Sequence, residues 1–275
     1  MSAAEMQACL AQLYVDDAFR KLFYLEPETT LKGYKLTTKE VDAIKGVNRE
    51  MLDVFAEVLK RKRKKRFQAA YPLLFKLVGA DMDRYFERYY RLYLAKPNES
   101  TSPQILSFGE FMEQSLSHDE DYPPYTSELA QFERLYYAAR LLPQSQDPLQ
   151  AANTADDQCP QDVGADARPF LRQGVQIAAF RFNLVKIVSN LQQQQAPADV
   201  EEGQYCTVFQ PIKNALTPKI FAISPIIYHL LTLCDARRSA SEITLEVEKL
   251  LGKEHLTDNV VRAVNQLLSL GVIGV

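Results

Sequence analysis

PKIFAISPIIYHLLTLCDARRSASEITLEVEKLLG, residues 218–252, decides how the chain is read. Pro218 to Ile223 is short, apolar and rich in β-formers, which predicts a strand. A helix is predicted over about 224–234. Ser239 followed by Glu242 has capping-box spacing and predicts a second helix, 239–252, closed by Gly252. A third helix, about 257–270, is closed by Gly271. Upstream, in AAFRFNLVKIVSNL (178–191), Phe180, Phe182 and Leu184 alternate with Arg181, Asn183 and Val185, which predicts a strand. YCTVF (205–209) predicts another, and QQQQAPADVEEG between them is a surface loop. Three strands in an antiparallel meander followed by three helices give an α+β, winged-helix-like segment.

The character changes upstream of 176. PQSQDPLQAANTADDQCPQDVGADARP (143–169) is polar and nearly free of large apolar side chains, so it reads as a linker. The organisation predicted is a mainly helical domain over 1–145, a linker over 146–175, and a winged-helix-like domain over 176–275. Within the first domain, Leu10, Leu13, Tyr14, Phe19, Leu22 and Phe23 predict one helix over 5–26, stopped by Pro27. Thr37 and Glu40 form a capping box for a helix over 38–46. A longer helix over 48–66 has Met51, Leu52, Phe55, Val58 and Leu59 as its apolar stripe and ends in KRKRKKR, residues 60–66. Phe67, Tyr71, Leu74, Phe75 and Val78 line the next helical stretch. After Gly79, Tyr85, Phe86, Tyr89, Tyr90 and Tyr93 recur at core spacing with their phenols toward a wet edge. A loop over 97–104 precedes helices over 107–117 and 125–142.

Composition narrows the function classes. The 275 residues carry 32 basic and 35 acidic side chains, a net charge of −3, which argues against a globally basic nucleic-acid binder. Ten glycines are few for a glycine-rich nucleotide site. GxGxxG, GxxxxGK[ST], GxSxG and HExxH are absent. His118, His229 and His255 have no ligand spacing, so neither a metal nor a cofactor is expected. His118-Asp119-Glu120-Asp121 is the densest oxygen cluster and reads as an acidic loop before Pro123-Pro124. Cys9, Cys159, Cys206 and Cys234 lie far apart, which predicts a reduced, cytoplasmic chain. No signal peptide or membrane span is expected.

Two charge blocks stand out. Residues 60–66 are seven cations in a row, read as a solvated helix end or as a contact to nucleic acid or an acidic partner. Residues 110–133 carry seven carboxylates and no Lys or Arg, and the two blocks are able to pair.

Two stretches resemble known families. RFQAAYPLLFKLVGADMDRYFERYY (66–90) and YPPYTSELAQFERLYYAAR (122–140) resemble the partner proteins of multinuclear non-haem iron enzymes that modify peptides. Some members of that family carry a DNA-binding label, and others are second subunits of methanobactin or thiaglutamate biosynthesis. The resemblance rests on Arg66, Tyr71, Pro72, Gly79, Tyr122, Pro123, Glu128, Leu129, Ala130 and Glu133. ISPIIYHLLTLCDARRSASEITLEV (223–247) resembles precursor-peptide recognition domains, including the small peptide-binding protein of pyrroloquinoline quinone biosynthesis, with Ala236 where a Gly is usual. Residues 13–46, by LFYLEPETTLKGYKLTTKEVDAI (22–44), are similar to the helical small subunit of extradiol dioxygenases and to leader-peptide helices.

The resemblance implies a non-catalytic protein that binds a ribosomal precursor peptide and forms a heterodimer with an iron enzyme. Strand addition is the expected mechanism. Lys219, Ile220, Phe221, Ala222 and Ile223 are the expected pairing strand. Val260, Val261 and Val264, with Leu267, are the expected groove wall, although Val264 and Leu267 read more simply as core. Tyr122, Pro123, Tyr125, Glu128 and Glu133 are the expected contacts to the enzyme. A DNA-binding regulator is the alternative, motivated by the winged-helix order and the basic run. Against it, residues 256–270 carry one Arg and no Lys.

Overall fold

The computed structural model describes residues 2–93, 100–141, 164, 166–197, 200–212 and 215–275. They form two compact units, Met1–Tyr122 and Pro123–Val275.

In the first unit, the helix expected over 5–26 is two. Helix α1 is Ser2–Val15 and α2 is Asp17–Leu25. Asp16 separates them, because its carboxylate accepts the Phe19 N–H at 2.9 Å and caps α2. Pro27 opens a short helix, α3 (Pro27–Leu31), where its missing N–H is no loss. The Thr37–Glu40 capping box starts α4 (Thr38–Lys45) as expected.

Helix α5, Arg49–Ala70, runs four residues past the basic block. The block is therefore interior to a helix rather than its dipole-favoured end. Buried Phe67 and Ala70 hold that last turn in place. Of the expected stripe, Leu52 is buried, while Met51, Phe55, Val58 and Leu59 face solvent.

Pro72 starts α6 (Pro72–Val78) after Tyr71. Gly79, at φ +61°, allows the reversal into a single 3-10 turn and α7 (Met82–Leu92). Helix α8 is Thr101–Leu116, so the described part of the loop expected over 97–104 is mostly helix. Pro103 sits in its first turn, where no backbone donor is needed. Residues 97–99 lie outside the described residues.

An aromatic cluster fills the space between α5, α6, α7 and α8. Phe108 stacks on Phe67 at 4.6 Å and meets the edges of Tyr71, Tyr89 and Phe86. Of the phenols expected at a wet edge, that of Tyr89 does not reach one, and that of Tyr71 is buried beside it. Tyr71 and Tyr89 donate to the carbonyls of Ile105 and Gln104 at 2.6 and 2.9 Å. Buried hydroxyls need such partners.

The second unit begins earlier than expected. Helix α9, Thr126–Leu141, falls within the span expected for the helical domain, 1–145, but it belongs to this unit. Its Phe132 lies 6.0 Å from the Phe180 ring and 4.9 Å from the Phe209 ring, so α9 covers one face of the sheet. The expected linker also ends earlier. Phe170–Leu171 is a strand, β1, antiparallel to β5 (Ile273–Gly274). Residues 146–163 of the linker lie outside the described residues.

The main sheet contains β2 (Gln176–Phe180), β3 (Tyr205–Gln210) and β4 (Lys219–Ile223) in the order β2-β3-β4, all antiparallel. This is the expected meander, with one correction. The first strand stops at Phe180, and α10 (Leu184–Gln192) follows. The Asn183 side chain accepts the Lys186 N–H at 3.1 Å and starts that helix. Phe180, Phe182 and Leu184 are all buried, so their alternation comes from a strand end turning inward, not from continued pairing.

Helices α11 (Pro225–Leu233), α12 (Ala240–Leu251) and α13 (Thr257–Ser269) follow in the expected places. The Ser239–Glu242 capping box is formed.

Ala236, in the turn between α11 and α12, has φ +64° and donates its N–H to Pro169 at 3.1 Å. A Cβ in the left-handed region is strained. Ala236→Gly is therefore expected to stabilise the unit by about 0.5–1 kcal/mol, after the entropy cost of glycine is offset. Urea denaturation of both proteins checks this, and a loss of stability would contradict it.

Candidate functional site

The expected pairing strand is an open edge. Among the described residues, β4 has β3 as its strand partner, and no strand lies on its other side. In an antiparallel ladder, half the peptide groups of an edge strand point outward and need water or another chain. The strand reads KIFAI, with one charge in five residues. Lys219 and Ala222 are exposed and the others half-buried. Natural edges are commonly blunted by charge, proline or a bulge. Lys219 is the one such device within this strand, and its ammonium lies 5.5 Å from the Phe221 ring centre.

The register gives β4 two faces. Phe221 stands opposite Val208, and Ile223 opposite Cys206. Both pack against the helical core containing Leu230, Leu231, Val260, Val264 and Leu267. Ile220 opposite Phe209 and Ala222 opposite Thr207 lie on the other face. Helix α13 and β4 thus share one hydrophobic cluster. Val264 and Leu267 are core, as their simpler reading has it; Val260 is buried with them, and of the expected wall only Val261 retains partial exposure.

The expected enzyme contacts are not a free surface. Glu128 receives the backbone N–H of Arg181 at 3.0 Å, that of Phe182 at 3.2 Å and the Arg181 Nε at 3.1 Å. It holds the turn from β2 to α10. Glu133 and Tyr125 are buried, and the Tyr125 ring lies 6.4 Å from Phe182. The Tyr122 hydroxyl donates to Asp81 at 2.8 Å. Pro123 remains exposed. No sequence signal marked Glu128 as a fold anchor, because its partners lie more than fifty residues away and two are backbone groups.

The acidic loop is also structural. Asp119 accepts the Tyr85 hydroxyl hydrogen, which holds its carboxyl below the usual range. Among the described residues, no three His, Cys, Asp or Glu side chains come together as a metal site. The basic run does not find its partners in 110–133. Lys60 pairs with Glu87 at 2.6 Å and Lys64 with Asp83. Burial pushes the thiols of Cys9 and Cys234 up to about 11 and about 12, the latter helped by Asp235. Such thiols act as packing groups. Cys159 lies outside the described residues. Among those residues, no helix is long and apolar enough to cross a membrane.

No family model matches the chain, and no curated protein matches it at a significant level.

Proposed function

We propose that this protein is a non-catalytic recognition subunit. It pairs the leader segment of a ribosomal precursor peptide with β4 and presents the peptide to an iron-dependent peptide-modifying enzyme. One observation carries the reading: an apolar edge strand with a single charge, backed by the cluster it shares with α13. Main-chain hydrogen bonds along Lys219–Ile223 supply affinity. Alternate peptide side chains fall on the two faces of the sheet, where Phe221 and Ile223 on one side and Ile220 and Ala222 on the other set the preference. The iron-enzyme half rests on the family resemblance of 66–90 and 122–140 alone.

The test begins with ten-residue peptides selected from a displayed library on the full chain. Hydrogen exchange is then expected to slow at 219–223 when a selected peptide is added. N-methylation at every second residue of that peptide is expected to weaken binding more than tenfold in one phase and little in the other, since only alternate N–H groups face the sheet. Equal loss in both phases, or protection elsewhere, would overturn strand addition. Co-purification of a stoichiometric iron-containing protein with the tagged chain checks the second half, and its absence would remove the enzyme from the reading.

A further inference from the structure

Helix α5 presents an outward face that its own unit leaves uncovered. Met51, Val54, Phe55, Val58 and Leu59 each keep more than a third of their surface, while Leu52, Ala56 and Phe67 form the buried side. Large apolar side chains at three- and four-residue spacing on the wet side of a helix mark a contact surface.

The same line of the helix turns cationic. Met51, Phe55, Val58, Lys62 and Lys65 follow one another at spacings of four and three, one continuous ridge of about 21 Å. Among the described residues, Lys62 and Lys65 are exposed and have no hydrogen-bond or ion-pair partner. The other cations of the run are engaged. Besides Lys60 and Lys64, Arg63 donates to the Tyr90 hydroxyl at 2.5 Å, and Arg61 pairs with Glu57 at 3.0 Å. With Arg66 donating to the Thr101 hydroxyl at 2.6 Å, the seven-residue block divides into five cations that have a partner within the unit and two that have none.

The charge pattern selects the occupant. A second copy packed antiparallel, with the apolar halves superposed about Phe55, sets Lys62 against Asn48 and carries Lys65 past the start of the partner's α5 at Arg49, so neither lysine stands opposite a carboxylate. A parallel copy sets each lysine against itself. A lipid surface demands cations flanking an apolar face, whereas here they continue it along the axis. We infer that the α5 ridge from Met51 to Lys65 docks an amphipathic helix of another protein, apolar along one half and acidic along the other. The inference stands apart from what β4 binds.

The probes are two synthetic 21-residue helical peptides with Leu at core heptad positions in one half and Glu in the other, one the reverse order of the other. One of them is expected to bind the full chain. Lys62→Glu with Lys65→Glu should weaken it at least tenfold, as should Val58→Asp. A peptide with Lys in place of Glu should bind the double-Glu variant and not the parent chain. These sites are exposed, and unchanged circular dichroism and urea midpoints exclude misfolding. An excess of a β4-binding peptide should leave binding unchanged, which separates failure here from failure at the sheet edge. Binding by neither peptide would overturn the inference. So would indifference to charge reversal, a dimer in sedimentation that Val58→Asp dissociates, or binding only to phosphatidylglycerol vesicles or duplex DNA.

Discussion

Phe108→Ala is expected to destabilise the N-terminal unit by about 4 kcal/mol, within the range for emptying a buried aromatic site. Phe108 is fully buried at the centre of the cluster. Six rings surround it: Phe67, Tyr71, Phe75, Phe86, Tyr89 and Phe111. They come from α5, α6, α7, α8 and the joint at Tyr71, so the loss is felt in four helices at once. The site is also hard to collapse, because Tyr71 and Tyr89 are tied by their hydroxyls to carbonyls of α8 and are not free to swing inward. Hydrogen exchange localises the effect. Amides of α5, α7 and α8 that open with the unit should exchange about a thousandfold faster, at roughly 1.4 kcal/mol per tenfold. Phe108→Leu fills part of the space and should cost less than half as much. A cost under 1 kcal/mol for the alanine variant would mean that the cluster is not packed as described.

Glu128→Ala carries the second large effect, about 2–4 kcal/mol in the C-terminal unit. The carboxylate is largely shielded, with 14% of its side chain exposed, and it accepts two consecutive backbone N–H groups at the end of β2. Without it, the Phe182 donor, on a residue that is itself buried, loses its acceptor. Glu128→Gln keeps one acceptor oxygen and should cost about half as much. Arg181→Ala removes only the side-chain ion pair, whose arginine is 62% exposed, and should cost less than about 1 kcal/mol. The order alanine, then glutamine, then the arginine variant is the signature of a backbone anchor. If Arg181→Ala matched Glu128→Ala, the ion pair rather than the backbone would dominate. The amides of Arg181 and Phe182 report directly, by faster exchange in both Glu128 variants.

Glu128 also shows where sequence reading misplaces function. A charged residue within a family-like motif suggests a partner surface, yet its partners are two backbone donors and one side chain from another element. Met51, Phe55, Val58 and Leu59 err in the opposite direction. Helical spacing correctly marks a common apolar face, but spacing does not say whether a neighbour covers it. Leu52 and Ala56, one step around the helix, meet the core along this stretch, as Phe67 and Ala70 do in the last turns.

Local chemistry by itself determined much of this protein. The capping boxes at Thr37 and Ser239, the glycines after α12 and α13, and the β-rich runs at 205–209 and 219–223 are short-range signals, in which a few consecutive residues satisfy each other's backbone groups. They set the α+β order and named the candidate edge strand. Asp16 and Asn183 were equally local, but apolar periodicity across them suggested unbroken elements. Tertiary structure alone decided the rest. It assigned α9 to the sheet through Phe132, paired Ile273–Gly274 with Phe170–Leu171, sank Val260 into the core and left the α5 ridge bare. Each of these depends on which surfaces meet across tens of residues, and burial is a property of the pair of surfaces rather than of either segment.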